Sequence, residues 1–293
     1  MLPLFIPWFR LDGIPIPGLP QQVSIQPFGV LVVLGIMLGA RTAERRALRL
    51  GIAPDVIAVF IAYVVVIGFV LGHVFDRLAY DPEVVWQDPL DLLMPWRSLS
   101  SFGGCFGAVI GAFVWKWLQR VNFTIPLDQV AFGMPVGWLF GRTGCFVVHD
   151  HPGRLTDFFL AVDHYQYSGL MVGPRHDLGL YEVLWAAAMI ALFFWLDRRP
   201  RPHGFFTGMI ALLYAPFRFG LDFLREVDTT YFGLTPGHYA ALLTFVLGAV
   251  ALLRAYRNPD QSIPLALLGA EHGEPQPSAA ARHRSNTSKL TDP

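Results

Sequence analysis

Between Arg142 and His151, inside the stretch GWLFGRTGCFVVHDHPGR that runs from Gly137 to Arg154, lie a guanidinium, a thiol, two imidazoles and a carboxylate. The flanking sequence is apolar enough for a membrane. An arginine at the centre of a lipid-facing helix costs about 2.5–3.5 kcal/mol, so Arg142 needs a partner. A planar fork donating two parallel hydrogen bonds suits phosphate. His149, Asp150 and His151 are the side chains able to move a proton beside it. No metal is expected from HDH, because adjacent and i,i+2 residues on a helix do not share a face. Cys145 reads as a small packed residue, since a structural thiol in apolar surroundings is inert.

A second arginine, Arg218, interrupts LYAPFRFGLDFLRE in the same way, with Tyr214 one turn before it and Asp222 one turn after. A structural Arg218–Asp222 pair is one reading of it. The sharper reading is an anion site shared by both arginines, the most available anion being a phospholipid headgroup. His73, Asp76, Arg77, Tyr181, Glu182, Arg225 and Glu226 converge on the same end of the apolar runs.

The elements that must position these groups are membrane helices. Hydrophobic residues make up 54% and charged residues 15% of the 293, well below the roughly 25% charge of soluble domains. The apolar runs are about 18–25 residues long, enough to cross a hydrocarbon core as helix. Seven spans are expected, near Pro27–Arg46, Ala53–Leu78, Phe102–Trp117, Leu127–Val148, Leu180–Leu196, Gly204–Leu224 and His238–Leu253, making an all-α integral membrane protein. Interfacial segments are expected near 79–101 and 153–179. Residues 1–257 then form the membrane domain, and 258–293 a disordered cytoplasmic tail.

Lys and Arg cluster after the first, third, fifth and seventh spans, as at Arg41, Arg45, Arg46, Arg49, Lys116, Arg120, Arg198, Arg199 and Arg201. The positive-inside rule then puts the N-terminus outside and the C-terminus in the cytoplasm. Spans four and six run in the same direction, and Arg142 and Arg218 each fall about 21–22 Å from the inner end.

The sequence resembles the bacterial prolipoprotein diacylglyceryl transferase family. GRTGCFVVHDHPGR resembles the signature GRxGNFxNxExxG through Gly141, Arg142, Gly144, Phe146 and Gly153, with Asp150 at its glutamate. LYAPFRFGLDFLRE resembles the penultimate-span motif through Arg218, with Tyr214 before it and Asp222 where the family has glutamate. RHDLGLYE resembles HPSQLYE through His176, Leu180, Tyr181 and Glu182, and SSFGGCFGAVIG resembles SFHGGLIGVIIG through Gly103 and Gly104. The resemblance implies transfer of diacylglyceryl from phosphatidylglycerol to the lipobox cysteine of a prolipoprotein, as a thioether, in the bacterial inner membrane. It implies as partners phosphatidylglycerol, prolipoprotein signal peptides and membrane lipids, with no cofactor and no nucleic acid.

On that resemblance Arg142, Arg218, His149, His151 and Asp150 are the catalytic candidates. Gly103, Gly104, Gly141, Gly144, Cys145, Gly153, Tyr181, Glu182, Tyr214 and Asp222 are the candidates for substrate binding. The sequence departs from the pattern at Cys145 and Val148, where the family has asparagines, at Phe102, where it has histidine, and at Phe28, where it has tyrosine. A catalytically altered or inactive relative that binds or transports lipid is the alternative. If the family fold is kept, Phe102 and Cys145 are expected to line one cavity with Arg142.

Overall fold

The computed structural model describes residues 5–15, 17, 24–94, 98–165, 172–226, 230–258 and 262–268. After the short strands β1 (Ile6–Pro7), β2 (Ile14–Pro15) and β3 (Ser24–Ile25) come the helices α1 (Pro27–Arg49) and α2 (Pro54–Ala79). A short α3 (Pro82–Gln87) and a 3-10 turn (Pro89–Leu93) precede α4 (Ser101–Gln119) and α5 (Thr124–Val148). Three strands, β4 (Pro152–Leu155), β5 (Val162–Tyr165) and β6 (Gly173–Asp177), lead into α6 (Leu178–Leu196), α7 (Phe205–Asp222) and α8 (Pro236–Arg257). Proline opens α1, α2 and α8, where its missing N–H would have had no helical partner anyway. Among the described residues five helices, α1, α2, α5, α6 and α8, are long and apolar enough to cross a membrane.

The long helices coincide with the expected apolar runs, and short strands accompany this mostly helical fold. The described part of the segment near 153–179 contributes strands to a sheet of order β1-β5-β6-β4, whose edge strand β1 comes from the N-terminal residues. Its strands are two to five residues long, too short to print an alternating pattern on the sequence. The assignment of residues from 258 onward to a disordered tail fails at 262–268. There a 3-10 turn returns to the bundle, Leu267 is 1% exposed, and Ala53 N–H donates to Leu267 O at 2.9 Å. The rest of the tail lies outside the described residues.

Glycine sets how closely the helices approach. A Cβ on Gly35 of α1 would stand 2.7 Å from Gly137 O of α5, and Gly133 of α5 is equally closed by Gly39 O. On α4, Gly107 and Gly111 face the backbone of α2, where added Cβ atoms would lie 2.8 Å from Ile67 O and 2.6 Å from Tyr63 O. Small residues at such spacing let backbones pack without side chains between them, the usual adhesive for helices in lipid.

At the opposite end from Arg142 a buried ionic cluster ties four segments together. Arg46, counted above among the charges of the first connection, is only 3% exposed. It reaches Asp197 at 2.8 Å, Gln129 at 2.7 Å and Asp128 at 3.5 Å, with its guanidinium over the rings of Phe132 and Phe206. Asp128 in turn accepts the Thr207 N–H at 3.0 Å near the start of α7. Removing one member strands a buried charge. Arg46→Ala is therefore expected to destabilise the fold by about 3–5 kcal/mol, measurable by thermal unfolding in detergent.

Candidate functional site

Glu182, in the first turns of α6 and fully buried, is the point on which both arginines close. Arg142 Nε from α5 lies 2.8 Å from Glu182 Oε2, and Arg218 NH1 from α7 lies 3.6 Å from Oε1. Trp138 Nε1 donates to Oε2 at 2.9 Å and the Tyr214 hydroxyl at 3.4 Å. One carboxylate thus receives groups from two neighbouring helices. The two arginines therefore meet on one side chain, Glu182.

Each guanidinium has a second anchor. Arg218 NH2 binds Asp222 Oδ1 at 2.6 Å, the i,i+4 pair expected from the sequence. Asp222 is itself buried and its Oδ2 accepts the Thr235 hydroxyl, which belongs to the capping box of α8 with His238. A carboxylate beside a helix N-terminus is favoured by the backbone dipoles there. Arg142 lies over the Trp138 ring, 5.4 Å from its centre, one turn earlier on α5. Sequence reasoning missed Trp138. Its i,i+4 spacing from Arg142 was the available signal.

The helix argument against HDH breaks down because the helix ends first. His149 has a left-handed backbone (φ 51°), closing α5 at Val148. Its ring is held by Asp177 Oδ2 at 2.7 Å and packs among Trp8, Phe9 and Phe146. Asp177 also caps α6 by accepting the Leu180 N–H at 3.0 Å. His149 therefore shapes the turn and does not face the cavity beside Arg142.

The turn folds Asp150 and His151 back over Cys145. His151 Nδ1 is hydrogen-bonded to Asp150 Oδ1, and its Nε2 lies 3.5 Å from Arg142 NH1, which also lies 3.8 Å from Cys145 Sγ. Ligand atoms from Cys145, Asp150 and His151 lie within 4.8 Å of one another. The premise behind expecting no metal here, an unbroken helix, does not hold.

These residues form the polar end of a cavity of about 630 Å³ between α1, α2 and α5. Its remaining wall is apolar or glycine, from Phe28 through Gly35 and Gly39 to Ala43 on α1, with Ile61 and Val65 on α2. Gly141 borders it, and a Cβ there would meet nothing within 4 Å. Gly144 instead seats α5 against Phe28, whose ring a Cβ would approach to 3.0 Å.

Several other candidates are placed elsewhere. Gly103 and Gly104 belong to the α2–α4 seam, where a Cβ on Gly103 would stand 2.5 Å from Phe75 Cβ. Phe102 is 54% exposed on α4 and does not line the cavity, contrary to the expectation that it does so with Cys145. His73 and Arg77 pin the α3 region through the Asp91 carbonyl at 2.8 Å and the Asp91 carboxylate at 2.6 Å. The Tyr181 hydroxyl pairs with His176 Nδ1 at 2.6 Å, and burial lowers the His176 pKa from its ordinary value. Gly153 allows β4 to pass the Leu224 carbonyl, 2.8 Å from where its Cβ would be.

Chemically, the arrangement offers the Arg142 guanidinium to an anion at the end of an apolar groove, with the Asp150–His151 pair beside it and Arg218 sharing Glu182 with it. A family model described as prolipoprotein diacylglyceryl transferase matches residues 18–254. Similar proteins named phosphatidylglycerol–prolipoprotein diacylglyceryl transferase include those of three bacteria. That of Chromohalobacter salexigens is 36% identical over 71% of this chain and 80% of its own. That of Mannheimia succiniciproducens is 32% identical over 80% and 90%. That of Vibrio parahaemolyticus is 32% identical over 80% and 88%.

Proposed function

Because the chain belongs to the prolipoprotein diacylglyceryl transferase family, we propose that it transfers diacylglyceryl from phosphatidylglycerol to the lipobox cysteine of a prolipoprotein. The observation that carries this reading is Arg142 at the polar end of an apolar groove, gathered with Arg218 on the buried Glu182. Acyl chains lie along α1 and α5, and the headgroup phosphate meets the two guanidiniums. The cysteine sulfur attacks the glycerol carbon that bears the phosphate ester. A C–S bond forms, the C–O bond breaks, and glycerol phosphate leaves with its growing charge stabilised by donors already in place. His151, paired with Asp150 beside Arg142, takes the proton that the incoming cysteine thiol gives up. Catalysis beyond this is positioning of lipid and peptide in line.

The reading further includes seven spans in the bacterial inner membrane, N-terminus outside, supported by the Lys/Arg asymmetry. Single cysteines at Arg120 and Arg199 should then be labelled only from the cytoplasmic side, and cysteines at Asp88 and Arg225 only from outside. One residue labelled from the wrong side removes this topology.

Function is tested by complementation. Expressed in a bacterium depleted of its own transferase, the chain should restore growth and the gel mobility of mature lipoproteins. A protein that only binds or transports lipid would reach the membrane and restore neither.

A further inference from the structure

We propose that the groove between α1, α2 and α5 is a blind slot for a single acyl chain of the lipid donor, and that Ala40, at its closed end, helps set the chain length the protein accepts. This rests on the transferase reading and assigns the selectivity of its lipid site.

The slot has one polar end and one closed end. Arg142 and His151 stand at the first, and the lining runs from Phe28 to Ala43 on α1 and from Val130 to Arg142 on α5. At about 1.5 Å per residue these stretches are roughly 18–22 Å long. Ala43 is 1% exposed and packs in one cluster with Ile57, Phe60 and Trp115, against which Ile61 and Val130 also lie. That cluster plugs the inner end. Half of a hydrocarbon core is about 15 Å, so a chain whose phosphate sits at Arg142 ends near the plug. The glycerol between phosphate and chain takes up the difference.

Width decides the occupant. A volume of about 630 Å³ spread over about 20 Å leaves a mean cross-section of about 30 Å². One polymethylene chain with carbon contacts at about 4.0–4.5 Å fills about 20 Å², and two need more than there is. A helix roughly 10–12 Å across needs about 80–110 Å², which excludes the apolar segment of a signal peptide. The space exists because Gly35 and Gly39 meet Gly137 and Gly133 backbone to backbone, while Ile61 and Val65 of α2 form the far wall. Of the two chains that lie along α1 and α5, one enters the slot and the other stays on its lipid side.

Gly141 marks the polar end independently. The four seam glycines are required by helix contact, but a Cβ on Gly141 would meet nothing within 4 Å. A helical glycine without a packing reason is destabilising relative to alanine; here it leaves room for the glycerol ester. Arg142 commits Nε to Glu182, while NH1 has His151 Nε2 at 3.5 Å and Cys145 Sγ at 3.8 Å. The guanidinium so keeps donors for a phosphate oxygen.

The full-length protein in detergent is assayed on phosphatidylglycerols with both chains short, both long, or one of each in either position. One methylene too many in a closed apolar pocket is worth roughly 10–200-fold. Ala40→Phe, and to a smaller degree Ala40→Leu, should therefore lower the long-to-short ratio of kcat/KM at least about tenfold. At least one isomer of the mixed donor should behave as the short one, since only the chain in the slot is measured. Binding is read separately, by mass spectrometry of phosphatidylglycerol retained from an equimolar long and short mixture, and should shift by a similar factor. A purely structural Ala40 would change all donors alike, and unchanged ratios in both variants overturn the slot while leaving the transferase reading standing. Mixed donors that both behave as the long one overturn single occupancy. Displacement of retained lipid from the wild type by a lipobox peptide with Cys→Ser overturns the choice of occupant. A shifted binding ratio without transfer from any donor keeps the slot and overturns the transferase reading.

Discussion

Arg142→Lys and Arg218→Lys should each lower phosphatidylglycerol turnover by at least about an order of magnitude, equivalent to ~1.4 kcal/mol of lost transition-state stabilisation, with protein levels in the membrane unchanged. Arg142 uses Nε for Glu182 and Arg218 uses NH2 for Asp222. Only a fork can hold such a partner and present further donors to a phosphate in a fixed plane. A lysine keeps the charge but is a point donor. On the proposal that both arginines act on one anion, the double variant should be far less impaired than the product of the single effects. Steady-state turnover with purified protein and phosphatidylglycerol vesicles decides this. Wild-type turnover in both single variants would sink the clamp.

A second large effect is expected at Glu182, and its two substitutions should differ in kind. Glu182→Ala leaves two guanidiniums close together in a buried site with no carboxylate between them. Loss of one partner from a buried ionic group costs about 3–5 kcal/mol, so the protein itself should fall in abundance. Glu182→Asp keeps the charge but is one methylene shorter. It cannot reach Arg142 and Arg218 together, so abundance should hold while turnover falls about tenfold or more. Equal activity of Glu182→Asp and wild type would show that the shared carboxylate does not align the arginines.

Membrane helices were legible because lipid demands long apolar runs, and Arg142 and Arg218 were legible because charge inside such a run has to be explained. The organising role of Glu182 was not. It stands at the edge of its span, where an acid needs no explanation, and only the packing of α5, α6 and α7 reveals that it serves two arginines at once. His149 misled for a local reason. A helix was assumed to continue through it, whereas Asp177, 28 residues later in the chain, holds it in a left-handed turn. That long-range hydrogen bond decides which of the two histidines faces the cavity. Gly103 and Gly104 misled differently: glycine suits both close helix contact and close substrate approach, and the sequence alone does not separate them.

The segment after α8 bears on how this protein is handled in the laboratory. Arg257 looks like a natural place to shorten the chain or attach a tag, since the last long helix ends there. Yet Leu267 inserts into the cluster of Ala47, Ile52, Ile57 and Phe60 at the α1–α2 turn, and Leu268 bridges to Ile52. Ending the chain at Arg257 would uncork that cluster, forfeiting about 1.5–3 kcal/mol for the leucine alone. It would also leave an oily notch on the face where a soluble fusion partner would sit. Tags and cleavage sites belong beyond residue 268.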